Sequence, residues 1–221
     1  MQTLVKQRRS RGSLSKKEIL EAALALLEEG GVSNLSMRAI AKRLGCSVAS
    51  PYTHFKSQRE IMQELILRSE RRLARELRRA RASSDDVFEQ LEAIAHTYYD
   101  FARSNAEVHR VLFTLEAQTI QRELFPILPT SYRIFLETIR AGVLQGKISF
   151  SREAYPAIAR TMWAWLYGLI VTELTNMNRR PTTAQTTDPV SEGIHFYQIL
   201  LKRGESPLEN VGGRLKNLIK R

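Results

Sequence analysis

Residues 35–55 read LSMRAIAKRLGCSVASPYTHF, and the fold turns on them. Ser36 stands where a short helix needs its N-cap, Ile40 and Leu44 give that helix an apolar side, and Gly45 ends it as a residue free to take positive φ. Ser47 can cap a further helix almost at once. Short helix, glycine turn, short helix is the order of a helix-turn-helix, whose second helix enters the DNA major groove. The pattern has a mechanical reason. Ile40 and Leu44 must face the preceding helix to fix the angle of the pair, Gly45 reverses the chain, and the next helix must present small or polar groups outward. Val48, Ala49, Ser50, Tyr52 and His54 meet that last demand.

Working outward, Ser15-Lys-Lys-Glu18 is a capping box, and Ile19, Leu20, Ala23, Leu24 and Leu27 recur at helical spacing until Gly30-Gly31 stops the run. Ser57-Gln-Arg-Glu60 is a second capping box, opening a helix that the spacing carries to about Ala82. Further helices are predicted from Val87 to Ser104-Asn105, Glu107 to Gln121, Pro129 to Gly142, Ser151 to about Met177, and Pro189 to about Arg203. Residues 178–188, with Ala184 their one apolar side chain, read as a loop. Period-two alternation is nowhere sustained, so the expected class is all-α. The expected division is a basic arm over 1–14, a helix-turn-helix domain over 15–58, a ligand-binding and dimerisation domain over 59–203 and a basic tail over 204–221.

Composition narrows the function. The 221 residues carry 34 Lys and Arg against 23 Asp and Glu, a net +11, which suits a polyanionic partner. Six cations and no acid fall in the first 17 residues, so an arm able to track a DNA backbone is expected there. The single cysteine, Cys46, excludes an intrachain disulfide and multi-cysteine metal sites, and reads as a packing thiol in a reducing compartment. Glu92 and His96 lie four apart, but the paired Glu-x-x-His units of a di-iron bundle do not accompany them, so no metal is expected, and no cofactor. No nucleophile–base spacing or phosphate-binding glycine loop is present, and the chain is not expected to be an enzyme. The longest apolar run, Met162 to Val171, has ten residues, half of what a membrane span requires, so no membrane partner and a cytoplasmic location are expected.

Through Ile19-Leu-Glu-Ala-Ala23, Glu29-Gly-Gly31, Ile40-Ala41, Leu44-Gly45 and Ser47-Val-Ala-Ser-Pro-Tyr-Thr-His-Phe55 the chain resembles the TetR family of one-component transcription regulators. Tyr98-Tyr-Asp-Phe-Ala-Arg103, Val108-His-Arg-Val-Leu-Phe113 and Trp165-Leu-Tyr-Gly168 resemble a ligand-domain subgroup marked by a Trp, His, Gly signature, with Tyr167 where that signature has histidine. The resemblance implies DNA contacts from Arg38, Ser47, Val48, Ala49, Ser50, Tyr52, His54 and Lys56. Elementary chemistry agrees: Tyr52 and Ser50 can donate to phosphate, Arg38 can fork onto phosphate or guanine, and Ala49 can meet a thymine methyl.

On a helical wheel of residues 161–175, Ala164, Gly168, Val171, Thr172 and Thr175 gather on one side. Small residues let a second helix approach, so a homodimer seam is expected there, completed by Ile194, Tyr197 and Leu201. The resemblance implies the same seam. Met162, Leu166, Ile170 and Glu173 lie opposite and, with Tyr98, Phe101, Phe113, Phe135 and Trp163, form the expected lining of a chamber for a small, largely apolar effector. Glu173 on that apolar side would need a partner. The arginines between Arg68 and Arg81 spread over several helix faces in this reading, as a solvated surface. The expected function is a homodimeric repressor on a pseudo-palindromic double-stranded DNA operator. An effector-independent architectural DNA binder, or a helical carrier or enzyme, stays open.

Overall fold

A computed structural model describes residues 14–106, 108–109, 115–125, 128–175 and 188–203. Among them every regular element is helical: α1 (Lys16–Gly30), a single 3-10 turn (Val32–Asn34), α2 (Met37–Leu44), α3 (Ala49–Tyr52), α4 (Gln58–Arg81), α5 (Val87–Ser104), α6 (Leu115–Leu124), α7 (Thr130–Leu144), α8 (Tyr155–Leu174) and α9 (Pro189–Arg203). The all-α expectation holds for these residues. The basic arm, Phe113, the 178–187 loop and the tail lie outside them. No described helix is long and apolar enough to cross a membrane.

Local chemistry explains the helix starts. Ser15 Oγ accepts the Glu18 N–H at 3.2 Å while the Glu18 carboxylate accepts the Ser15 N–H at 2.9 Å, a closed capping box. The second box is half closed. Ser57 Oγ accepts the Glu60 N–H at 3.3 Å, but the Glu60 carboxylate reaches one residue further back, to the Lys56 N–H at 2.6 Å. Asp188 caps α9, its Oδ1 accepting the Val190 N–H at 3.0 Å and its Oδ2 the Ser191 hydroxyl at 2.8 Å.

Two compact units form, and their composition differs from the expected division. Of the described residues, the first takes 14–71, 105–106, 108–109 and 115–125, and the second 72–104, 128–175 and 188–203. In the first, Ile19, Leu20, Ala23 and Leu27 of α1, Ile40 of α2, and Phe55, Ile61 and Met62 make one buried cluster, which also contains Ile120 of α6. By its contacts α6, which the sequence division counts with the ligand domain, thus packs with the first unit. In the second unit α5 packs against α7, α8 and α9. Leu91, Ile94, Phe135, Met162, Leu166 and Ile194 are among its buried side chains.

Candidate functional site

The α2–α3 pair is built by its turn. Ser36 Oγ accepts the Ala39 N–H at 3.1 Å and starts α2, which buries Met37, Ile40 and Ala41. Gly45 then takes φ 66°, ψ 31°, the left-handed conformation that a side chain would strain. Its N–H donates to the Lys42 carbonyl at 3.3 Å and the Cys46 N–H to the Ala41 carbonyl at 3.0 Å, closing the end of α2 in a Schellman arrangement. Cys46 is partly buried, with Sγ 3.7 Å from the Ala41 carbonyl oxygen.

α3 is only four residues long, and bonds between residues three apart tighten it. The Ser50 N–H donates to the Ser47 carbonyl at 2.9 Å, the two hydroxyls of that pair lie 2.9 Å apart, and Thr53 Oγ1 donates to the Ser50 carbonyl at 2.7 Å. Pro51 is buried beneath the helix, and its carbonyl accepts the N–H groups of His54 and Phe55, both at 3.1 Å. The proline thus anchors α3 from below and ends it.

What remains on the outside is the predicted contact set. Arg38, Ser47, Ala49 and Lys56 are exposed, Ser50 and His54 are half-buried, and Val48 and Tyr52 are 46% and 52% exposed. Two large apolar surfaces standing in water, Val48 at the N-cap of a four-residue helix and Tyr52 at its end, suit insertion into a groove.

Features absent from the sequence reading surround this pair. Arg43 on α2 bonds Glu29 on α1 at 2.6 Å, and the Lys16 ammonium sits 5.5 Å from the centre of the Phe55 ring. Arg59 on α4 donates from Nη2 to both carboxylate oxygens of Glu123 on α6, at 2.7 and 2.8 Å. Ile120 and Leu124 mark α6 as amphipathic in sequence, but no local signal states which core its apolar side enters.

In the second unit several residues of the expected lining are buried near one another, and Glu173 stands apart from them. Tyr98 stacks on Trp163 with centroids 4.9 Å apart and planes 15° from parallel, and Tyr132 and Phe135 approach the same indole at 5.3 and 5.5 Å. Tyr98, Phe101, Phe135, Met162, Leu166 and Ile170 are buried. Glu173 is not sealed among them. It lies in the last turn of α8, its side chain 40% exposed, with the Arg103 guanidinium at 3.9 Å. The carboxylate expected to need a buried partner is a surface group at a helix end.

On the other side of α8, Ala164 and Thr175 are exposed and Gly168, Val171 and Thr172 half-buried. A Cβ at Gly168 would meet nothing within 4 Å, and the Thr172 and Thr175 hydroxyls donate to carbonyls of their own helix at 2.9 and 2.7 Å. The seam residues expected on α9 need correction. Ile194 and Leu201 are buried within the protomer, and Tyr197 packs on Trp165 with centroids 5.4 Å apart. Ile194 and Leu201 are turned to the core of their own chain, whereas Tyr197 is half-buried. Phe196 and Ile199, 60% and 39% exposed, occupy the opposite side.

Residues 19–65 match the family model described as bacterial regulatory proteins, tetR family, and residues 91–192 match the model described as tetracyclin repressor-like, C-terminal domain. The chain belongs to the TetR family. The nucleoid occlusion factor SlmA of Actinobacillus pleuropneumoniae is 29% identical over 97 residues, 43% of this chain and 48% of that protein. The chain spans about half the length of the curated relatives of this kind that it matches. By fold it is similar to the TetR family regulator PfmR of Thermus thermophilus (TM-score 0.61, 22% identity, 85% of this chain and 98% of that one). It is also similar to the regulator FadR of Bacillus subtilis in complex with stearoyl-CoA (TM-score 0.67, 15% identity, 87% and 100%). As a TetR family protein the chain pairs an N-terminal helix-turn-helix domain with a helical C-terminal ligand-binding domain. The amino-terminal model falls on α1 to α4, the helices that carry the exposed contact set.

Proposed function

We propose that this protein is a homodimeric transcriptional repressor that holds a pseudo-palindromic DNA operator through α2 and α3 and leaves it when a small, largely apolar or aromatic effector occupies the second unit. The observation that carries the reading is α3 itself, four residues locked by Ser47, Pro51 and Thr53, with Val48 and Tyr52 held in solvent. Arg38, Ser47, Ala49, Ser50, His54 and Lys56 complete the contact set, and two copies would address half-sites about 34–36 Å apart. The protein acts by binding, with no turnover.

Three features support the rest. The open face at Gly168, with threonine hydroxyls satisfied inside α8, suits close approach by a second copy, and Phe196 and Ile199 are exposed apolar side chains on α9 that such a copy could cover. The aromatic surroundings of Trp163 suit an apolar or aromatic effector, in a ligand domain of the Trp, His, Gly type in which Tyr167, its hydroxyl pKa raised by burial, replaces the histidine. The FadR structure holds stearoyl-CoA, a ligand with a long apolar chain, which supports an apolar effector on this fold. α6 is the proposed coupling element. It lies in the chain between α5 and α7 of the second unit, while Ile120 and the Glu123–Arg59 ion pair bind it into the first. Regulation then requires the effector to favour the DNA-incompetent shape by about 1–3 kcal/mol.

The test is selection of bound sequences from a random duplex library, then measurement of Tyr52→Phe with Ser50→Ala on the selected operator. Affinity is expected to fall tenfold or more with the melting temperature unchanged. Affinity within error of the parent would overturn the assignment of α3. Selection of no preferred sequence, with strong DNA binding that no compound alters, would favour an architectural role.

A further inference from the structure

The arginines of α4 do not spread around the helix. At about 100° per residue, Arg72, Arg75, Arg78 and Arg79 fall within about 120° of arc, and Leu73, Ala74 and Leu77 fall on the opposite side, where they are buried. All four arginines are exposed. Arg72 bonds Glu76 at 3.0 Å and lies 5.4 Å from the centre of the Phe101 ring. Arg75, Arg78 and Arg79 pair with no acidic side chain among the described residues. Arginines in the last turn complement the helix dipole, but Arg75 stands six residues before the end, beyond the reach of that effect.

We propose that Arg75, Arg78 and Arg79 form a second DNA-contact surface, which holds the phosphate backbone of duplex DNA without reading its sequence. Guanidinium groups fork onto phosphate oxygens, and unpaired ones keep that capacity free. The arc is charged throughout and carries no apolar side chain to enter a lipid interface, so a phosphate backbone fits it better than a membrane surface. The inference rests on the DNA-binding reading above.

The test compares the parent with R75Q/R78Q/R79Q and with R75K/R78K/R79K, by affinity for a random-sequence duplex as salt is varied, after equal melting temperatures confirm intact folding. Loss of three phosphate contacts per protomer should flatten the plot of log affinity against log salt by about 2.7 for each protomer whose surface is engaged, so that raising salt from 50 to 200 mM costs the parent at least about 40-fold more affinity than it costs the glutamine variant. The lysine variant should keep most of the parent slope, and the base preference selected by α3 should be the same in all three. Equal slopes for the parent and the glutamine variant would overturn the proposal while leaving the α3 reading intact. A parent that binds no duplex would overturn both. Loss of binding to phosphatidylglycerol vesicles in the glutamine variant, with duplex binding unchanged, would give the surface to a membrane instead.

Discussion

The helices α3 and α9 both leave large apolar side chains in water, Val48 and Tyr52 on one, Phe196 and Ile199 on the other, but they arrive there by different routes. In α3 the outward set follows from neighbours within a few residues: the Gly45 turn, the Ser47–Ser50 link and the buried Pro51 leave one orientation for a four-residue helix. α9 is 15 residues long and amphipathic, and nothing local says which core its stripe will meet. Outward residues are thus legible where turn chemistry constrains them, and are found only by packing where a long helix has two usable sides.

The support beneath α3 offers the largest expected effect. Ile40 is fully buried against α1, and Ile40→Ala should cost about 2–5 kcal/mol of stability, read by urea unfolding, and loosen α3 with it. A loss under about 1 kcal/mol would mean that the turn alone fixes the recognition helix.

Acid should act on the same unit. Burial lowers the pKa of His109 from 6.5 to about 4, so between those values the unfolded chain binds a proton that the folded chain refuses. Its contribution is fully present above pH 6.5 and is lost as pH falls towards 4, about 3 kcal/mol in all. Urea unfolding at pH 7 and 4.5 should show the drop, and His109→Phe should remove that part of the pH dependence.

Two glycines sharpen the contrast on the other side. The Trp165 ring fills the space where a side chain at Gly193 would go, so Gly193→Ala should destabilise by about 1–3 kcal/mol. Gly168 faces open space, so Gly168→Ala should raise protomer stability by about 0.5–1 kcal/mol through helix propensity. If α8 forms the seam, the same change weakens self-association in sedimentation experiments.

The smallest stability effect is expected at Phe196. Phe196→Ser removes an exposed ring and should change protomer unfolding by no more than about 0.5 kcal/mol, and if the proposed dimer covers that ring it should shift self-association towards monomer. A large unfolding penalty would show that α9 uses this side within its own chain.

The comparison of expectation with structure follows the same division. Capping signals placed α1, α2 and α4 close to their observed starts, because a Ser hydroxyl and an N–H three residues on are neighbours in any chain that enters a helix. The small side of α8 was also legible, from composition and period alone. Glu173 was misplaced because a wheel has no ends: at the last turn the core runs out, and Arg103 meets the carboxylate in solvent. Ile194 and Leu201 were given to a partner copy because periodicity identifies an apolar stripe without naming what it covers. The expectation that the arginines between Arg68 and Arg81 spread over several faces fails on periodicity itself, because at about 100° per residue the helix expected to Ala82 already gathers six of the seven within about 120°.

What the residue order alone established was the succession of helices, the glycine turn between α2 and α3 and the identity of the outward groups on α3, all products of interactions spanning three to five residues. What required the folded chain was the ownership of faces: that α6 serves the DNA-binding core through Ile120 and Glu123, and that Ile194 and Leu201 turn inward while Phe196 and Ile199 turn out. The reason is the non-directional character of the hydrophobic effect, which rewards covering an apolar stripe and is indifferent to which surface covers it.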